Sequence, residues 1–288
     1  MKASQSRFID VRGLKYHCRT WGDEGAPKLF MLHGFQDVSA SWQFTVDALQ
    51  RDWHVIAPDW RGYGLSEWGK AGCYWAMDFL ADLDAILDAF EPDAPARIVA
   101  HSIGANTAAL YSGARPRRIH KLVNVEGFGG PPSRTEDAPR RITKWIQQVA
   151  RGEQQRPYDS FEDFAERMMA ENPHLTEARA VFLVQHWGRQ EADGTVVRRA
   201  DPAHKFVPPM SLGFDESRAC WAQITAPVLW VEGAQSPAAQ NAARDKERYE
   251  LRLSAFQNLA GVERVEGAGH NVHHDQPQAL AALVEGFM

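Results

Sequence analysis

The stretch Arg97-Ile98-Val99-Ala100-His101-Ser102-Ile103-Gly104-Ala105 decides the reading of this 288-residue chain. An apolar strand, Arg97 to Ala100, runs into a small-x-Ser-x-Gly turn, and Ala108, Ala109 and Leu110 continue it as a helix. Small residues two before and two after the serine let strand and helix approach closely at a sharp turn. Such a turn strains the serine backbone and holds the hydroxyl at the carboxyl edge of a sheet. Ala100 stands where this turn usually has its first glycine, at the cost of one methyl of clearance. The plain alternative is a serine that only caps a helix, so the weight of the pattern rests on the strand before it and the helix after it.

Outward from this turn, short runs of Val, Ile and Leu ending at Gly, Asp or His recur between longer helical patterns, which signals βα units and a mostly parallel sheet. Strands are predicted at 28–32, 54–58, 97–100, 121–125, 227–231 and 262–265. Arg12-Gly13 separates runs at 7–11 and 14–20, so the sheet opens with an antiparallel hairpin. Over 74–90, Ala76, Phe79, Leu80, Leu83, Ile86, Leu87 and Phe90 share one helical face, and Asp78, Asp82 and Asp88 are expected in solvent. From Gly129 to about Phe214 the rhythm stops. Ile142, Trp145, Ile146 and Val149 suit one helix, Phe161, Phe164 and Met168 a second, and Val181, Leu183, Val184 and Trp187 a third. Pro131-Pro132 opens this stretch and Pro208-Pro209 closes it. The expected organisation is one core, 1–130 with 215–288, interrupted by a helical cap at 131–214, without repeats or low-complexity tracts.

Composition narrows the function classes. With 32 Lys+Arg against 37 Asp+Glu and a net charge of -5, and with basic residues scattered, the chain gives phosphate backbones no long-range attraction, so no nucleic-acid partner is expected. No window has the apolar length of a membrane span and the start is polar, so a cytoplasmic protein without a membrane partner is expected. Cys18, Cys73 and Cys220 are odd in number and lack CxxC spacing, which leaves small buried thiols rather than a disulfide framework. The expected partner is a small-molecule substrate, and the expected state a monomer or homodimer.

Four segments occur together in order: Leu32-His33-Gly34-Phe35, Pro58-Asp59-Trp60-Arg61-Gly62-Tyr63-Gly64-Leu65-Ser66, the Ala100 to Gly104 turn, and Gly267-Ala268-Gly269-His270. On these residues the chain resembles the α/β-hydrolase fold superfamily over nearly its whole length. The resemblance implies an eight-stranded sheet with a helical lid, and nucleophile, acid and base in that chain order. It makes Ser102 the nucleophile and His270 the base, on a Gly-Ala-Gly loop able to bring an imidazole over the sheet edge. It assigns the two backbone donors of an oxyanion hole to the amides of Phe35 and Ile103. His33 then shapes the oxyanion turn. His101 is expected to point away from the reacting carbonyl and to line the pocket. His273 and His274, with Asp275 after them, are expected as a polar helix start; no partner motif completes a ligand set, so no metal is expected.

The acid departs from the family pattern. After the strand at 227–231 the common acid position falls on Ser236, which cannot carry the charge that orients a histidine. The strand at 121–125 also opens onto the base and is followed by Glu126, where some members, notably haloalkane dehalogenases, place a glutamate. Glu126 is therefore the expected acid. Glu232 is the competitor, pointing elsewhere if its strand runs on to Gly233; a strand-end carboxylate bonded to neighbouring amides is the plain alternative for Glu126.

Dehalogenases and epoxide hydrolases of the superfamily use an aspartate nucleophile, so Ser102 points instead to acyl transfer to water without any cofactor. The similarity is to the serine hydrolase-like subgroup. The expectation is cleavage of a small or medium apolar carboxylic ester, with Trp42, His101, Phe128, Trp145 and Trp187 contacting the substrate. Carbon-carbon bond hydrolysis or thioester hydrolysis by the same residues is the nearest alternative. A ligand-binding sensor that keeps the scaffold without turnover is the alternative of a different class.

Overall fold

The computed structural model describes residues 1–69, 74–130, 134–210 and 212–288. Cys73 and Pro131-Pro132 lie outside the described residues. Strand β1 (Ser4–Val11) turns at Arg12-Gly13 into β2 (Leu14–Trp21), followed by β3 (Lys28–Leu32), α1 (Gln43–Ala48), β4 (His54–Pro58), α2 (Ala76–Phe90), β5 (Ala96–His101), α3 (Ile103–Ala114) and β6 (Ile119–Val125). The chain then runs through α4 (Ala138–Arg151), α5 (Phe161–Glu171), α6 (Glu177–Trp187), a small hairpin of β7 (Gly188–Gln190) and β8 (Val196–Arg198), and α7 (Phe214–Trp221). It returns to the sheet with β9 (Val228–Gly233), and after α8 (Pro237–Arg244) and α9 (Lys246–Leu253) adds β10 (Leu259–Val265); α10 (Val272–Asp275) and α11 (Pro277–Phe287) close it.

The eight-stranded sheet has the order β1-β2-β4-β3-β5-β6-β9-β10. The hairpin strands and the β2-β4 pair are antiparallel, and the others parallel. This is the α/β-hydrolase fold, with every strand expected from the sequence in place. Strands covered on both faces must be apolar along their whole length, and β4 and β9 are buried at every residue. One face packs Phe30, Ile56, Ile98 and Leu122 against α2 and α3. The other packs Met31, Val55, Val99 and Val231 against α1 and α11. Ile98 is fully buried, so its truncation to alanine costs about 2–5 kcal/mol.

Two expectations about charge and packing are corrected. Asp82 is not in solvent but fully buried. Its carboxylate takes both Nε and Nη2 of Arg61 at 2.5 and 2.6 Å, Nη1 of Arg12 at 3.0 Å, and the Tyr16 hydroxyl. Cations and a phenol brought from β2, the β1-β2 turn and the Arg61 loop compensate the charge, which would otherwise be prohibitive to bury. Asp88 is exposed as expected and Asp78 half-buried. In the inserted stretch, α5 and α6 pack Phe164, Met168, Leu183 and Val184 into a core of their own. Val181, one residue out of phase with Ala180 and Val184, is exposed. Helix α4 buries nothing, and Ile142, Ile146 and Val149 face outward. None of the helices is long and apolar enough to cross a membrane, among the described residues.

Candidate active site

Ser102 sits between β5 and α3 with φ +52° and ψ -115°. A non-glycine residue there stores about 1–3 kcal/mol of strain, held by the β5 ladder and by the bond from Ser102 N to Val125 O at 2.9 Å. The closeness of the turn explains Gly104: a Cβ there would stand 2.6 Å from the His33 carbonyl oxygen. A Cβ on Gly34 would stand 2.7 Å from His101 Nδ1. The two loops meet so tightly that neither position takes a side chain.

His270, on the loop after β10, reaches back over the sheet. Its Nε2 lies 3.0 Å from Ser102 Oγ and its Nδ1 3.0 Å from Glu126 Oε2. Glu126 follows β6 with φ +57°, and this left-handed residue turns the side chain across the end of β9. There Gly233 N donates to Oε1 at 2.8 Å and Ser236 Oγ donates to Oε2 at 2.6 Å. The serine at the common acid position is thus a hydrogen-bond donor to a carboxylate arriving from the neighbouring strand. Glu232 lies on β9 itself and turns away, accepting from Trp230 Nε1 at 2.8 Å, the Tyr249 hydroxyl at 2.6 Å and Arg264 Nη2 at 3.3 Å. Ser102, His270 and Glu126 are therefore brought together, and Glu232 is not among them.

Phe35 and Ile103 line one cavity of about 340 Å³, together with Phe79, Leu110, Phe206, Met210, Leu212 and Trp221. Ile103 opens α3, so its N–H has no intrahelical acceptor, and the Phe35 N–H has no backbone acceptor among the described residues. The walls are mostly apolar. A larger open depression of about 630 Å³ lies elsewhere, among exposed charged residues such as Asp215, Glu216 and Arg248, and has no apolar enclosure to offer.

None of the five side chains expected to contact the substrate lines the apolar cavity. Trp42 is fully buried, its ring 4.6 Å from His273. Phe128 packs edge-on against Trp230 at 5.4 Å. Trp145, half-buried, meets Trp75 edge-on at 6.5 Å. Trp187 donates Nε1 to Ser41 Oγ at 2.9 Å. His101, expected to line the pocket, is buried behind His270, with Nε2 2.8 Å from the His270 carbonyl oxygen. Burial drives the His101 pKa well below the ordinary histidine value, with His273 and His270 adding to the effect, so the ring is neutral and donates from Nε2. Sequence reasoning missed the cavity walls at Phe79, Phe206, Met210, Leu212 and Trp221. Phe79 reads as ordinary core by its helical phase, and Phe206, Met210 and Leu212 sit in a loop without periodicity.

His33 does shape its turn: Nδ1 meets the Gly34 carbonyl at 2.8 Å and Nε2 accepts from Trp60 N at 3.0 Å. His273 and His274 are not a polar helix start. Both are buried, because Asp37 from the oxyanion-side loop is folded in against them. Burial pushes His274 down to about 3. Asp37 itself stays ionised: its burial is outweighed by the bond from His273 and the neighbouring imidazoles, which hold it below the usual carboxylate range.

A sequence model of the alpha/beta hydrolase fold matches residues 27–277. The chain is 26% identical over 277 residues to a serine hydrolase-like protein of Danio rerio, covering 94% of this chain and 84% of that one. It is 28% identical over 268 residues to Esterase Rv0045c of Mycobacterium tuberculosis, covering 93% and 84%. Among solved structures, a thioesterase domain from the curacin biosynthetic pathway superposes with a TM-score of 0.87 at 24% identity, over 98% of this chain and 99% of that one. The chain belongs to the α/β-hydrolase fold family.

Proposed function

We propose that the protein cleaves small or medium apolar carboxylic esters through an acyl-enzyme on Ser102. The observation that carries the reading is the unbroken chain Ser102 Oγ, His270, Glu126 at 3.0 and 3.0 Å, opening beside an apolar cavity. His270 Nε2 takes the serine proton as Oγ attacks the carbonyl, and Glu126 accepts Nδ1–H and stabilises the imidazolium. The N–H groups of Phe35 and Ile103 receive the oxyanion, a contribution of about 10²- to 10³-fold for each donor. His270 then protonates the leaving alcohol and activates the water that releases the acid.

The cavity volume suits an acyl group of a few carbons. The helical cap expected at 131–214 is the lid of this site: Phe206, Pro208 and Met210 form part of its wall. A panel of p-nitrophenyl esters of rising chain length, run beside the matching thioesters and a carbon-carbon bond substrate, tests the reading. Preference for short or medium oxygen esters, abolished by Ser102→Ala, supports it. Preference for thioesters or for a carbon-carbon bond substrate replaces the substrate class. Ligand binding with no turnover of any ester by wild-type protein replaces the enzyme with a sensor.

A further inference from the structure

We propose that Asp37, His273 and His274 form an inhibitory site for one divalent transition-metal ion of the zinc, cobalt or nickel type. The three side chains come from two segments more than two hundred residues apart, yet their ligating atoms all lie within 4.8 Å of one another. His273 Nε2 is 3.0 Å and His274 Nε2 3.7 Å from Asp37 Oδ2. Atoms so spaced converge on a single ion about 2.0–2.2 Å from each. His274 Nε2 is buried, faces the carboxylate and has no hydrogen-bond partner, and His273 Nδ1 is likewise buried and unpartnered. One of the proposed ligand nitrogens, His274 Nε2, is thus unused in a buried cluster, and the free Nδ1 of His273 leaves its ring able to change tautomer.

Two imidazoles and one carboxylate suit zinc, cobalt, nickel or copper and disfavour magnesium and calcium, which call for oxygen donors. Binding breaks the hydrogen bond between His273 and Asp37 and forms one bond from each of the three residues to the metal. The proton that lies between Nε2 and Oδ2 leaves that position, and the unpartnered Nδ1 of His273 can carry it. No oxidation state changes. Three protein ligands leave a position for water.

The site is placed to be felt at Ser102 without touching it. Asp37 lies two residues after Phe35, and its Oδ1 accepts from Val38 N and Ser41 Oγ, so it fixes the loop that carries the Phe35 amide. The His273 ring stands 4.4 Å from that of His101, which holds the His270 carbonyl. An ion that redirects His273 and Asp37 therefore moves the supports of both the base and the oxyanion donor. The Trp187 ring stands 5.9 Å from that of His274. The inhibitory half of the proposal rests on the proposed hydrolytic function; the binding half does not.

The test uses the full chain with Co²⁺ as probe, read by visible d–d absorption and calorimetry, in wild type, Ser102→Ala, His270→Gln and His274→Gln. One Co²⁺ per chain is expected in the first three, weakened at least about tenfold in His274→Gln. Preincubation with Co²⁺ lowers ester turnover of wild type, whereas the turnover of His274→Gln, whatever its metal-free value, does not change when Co²⁺ is added. Electron paramagnetic resonance of Cu²⁺ bound to Ser102→Ala, showing two imidazole nitrogens, gives the same answer should His274→Gln not fold. Absence of Co²⁺ binding in wild type overturns the site. So does binding that is lost in His270→Gln and kept in His274→Gln, which would assign the ion to the base. Binding without loss of turnover overturns the inhibitory role, and absence of turnover in metal-free wild type counts against the esterase reading while leaving the binding result standing.

Discussion

Strands β6 and β9 lie side by side, run parallel and each carry a buried glutamate at the carboxyl end, yet Glu126 meets His270 and Glu232 does not. The difference is made by the backbone. Glu232 is inside its strand, where the alternating pleat aims it at Trp230, Tyr249 and Arg264. Glu126 is the first residue beyond its strand, and its positive φ swings the carboxylate over the end of β9 to Gly233, Ser236 and His270. Residue type and burial do not make an acid partner; the direction of one side chain at a strand end does.

The largest expected effect separates the two glutamates. Glu126→Gln lowers kcat about 10³- to 10⁴-fold, because an amide neither fixes the tautomer nor stabilises the imidazolium; steady-state kinetics of folded protein checks it. Glu232→Gln leaves ester turnover within about threefold but destabilises by about 1–3 kcal/mol, since three donors lose a charged acceptor; denaturant titration measures this. Equal losses of turnover in both variants would erase the contrast.

Acid reaches the site through its imidazoles. His101, His274 and His204 are all held below the ordinary histidine value of 6.5, His274 and His204 at about 3, chiefly by burial. The unfolded chain therefore binds more protons than the folded one between pH 6.5 and about 3. Stability is full above 6.5 and falls with acid through that window as His274 and His204 are charged, with His101 adding in the same direction. Urea midpoints from pH 7.5 to 5 check this; a flat profile would contradict it. The smallest effect sharpens the contrast between the strand ends: adding Ser236→Asp to Glu126→Gln returns a carboxylate to the end of β9 and restores about tenfold of the lost rate.

The sheet was legible because a strand buried on both faces declares itself in its own apolar residues. The turn at Ser102 was legible because its small residues are neighbours in the chain, and the choice of Glu126 over Glu232 followed from where each strand ends. What periodicity cannot carry is the partner. Asp82 reads as solvated by its helical phase, and only Arg61, Arg12 and Tyr16, 21 to 70 positions away, make its burial tolerable. His273 and His274 read as polar for the same reason, their partner Asp37 being 236 and 237 positions distant in the chain. The apolar stripe of α4 shows the converse: correct spacing, yet Ile142, Ile146 and Val149 stay exposed and only Trp145 finds an aromatic partner, Trp75.

The account turns on one chain of contacts from Ser102 through His270 to Glu126. Its most direct test is covalent labelling by a fluorophosphonate serine probe, with the labelling rate followed in wild type, Ser102→Ala, Glu126→Gln and Glu232→Gln. The account predicts rapid labelling of wild type and Glu232→Gln, labelling slowed by orders of magnitude in Glu126→Gln, and none in Ser102→Ala. Labelling that persists in Ser102→Ala, or that slows only in Glu232→Gln, would contradict it.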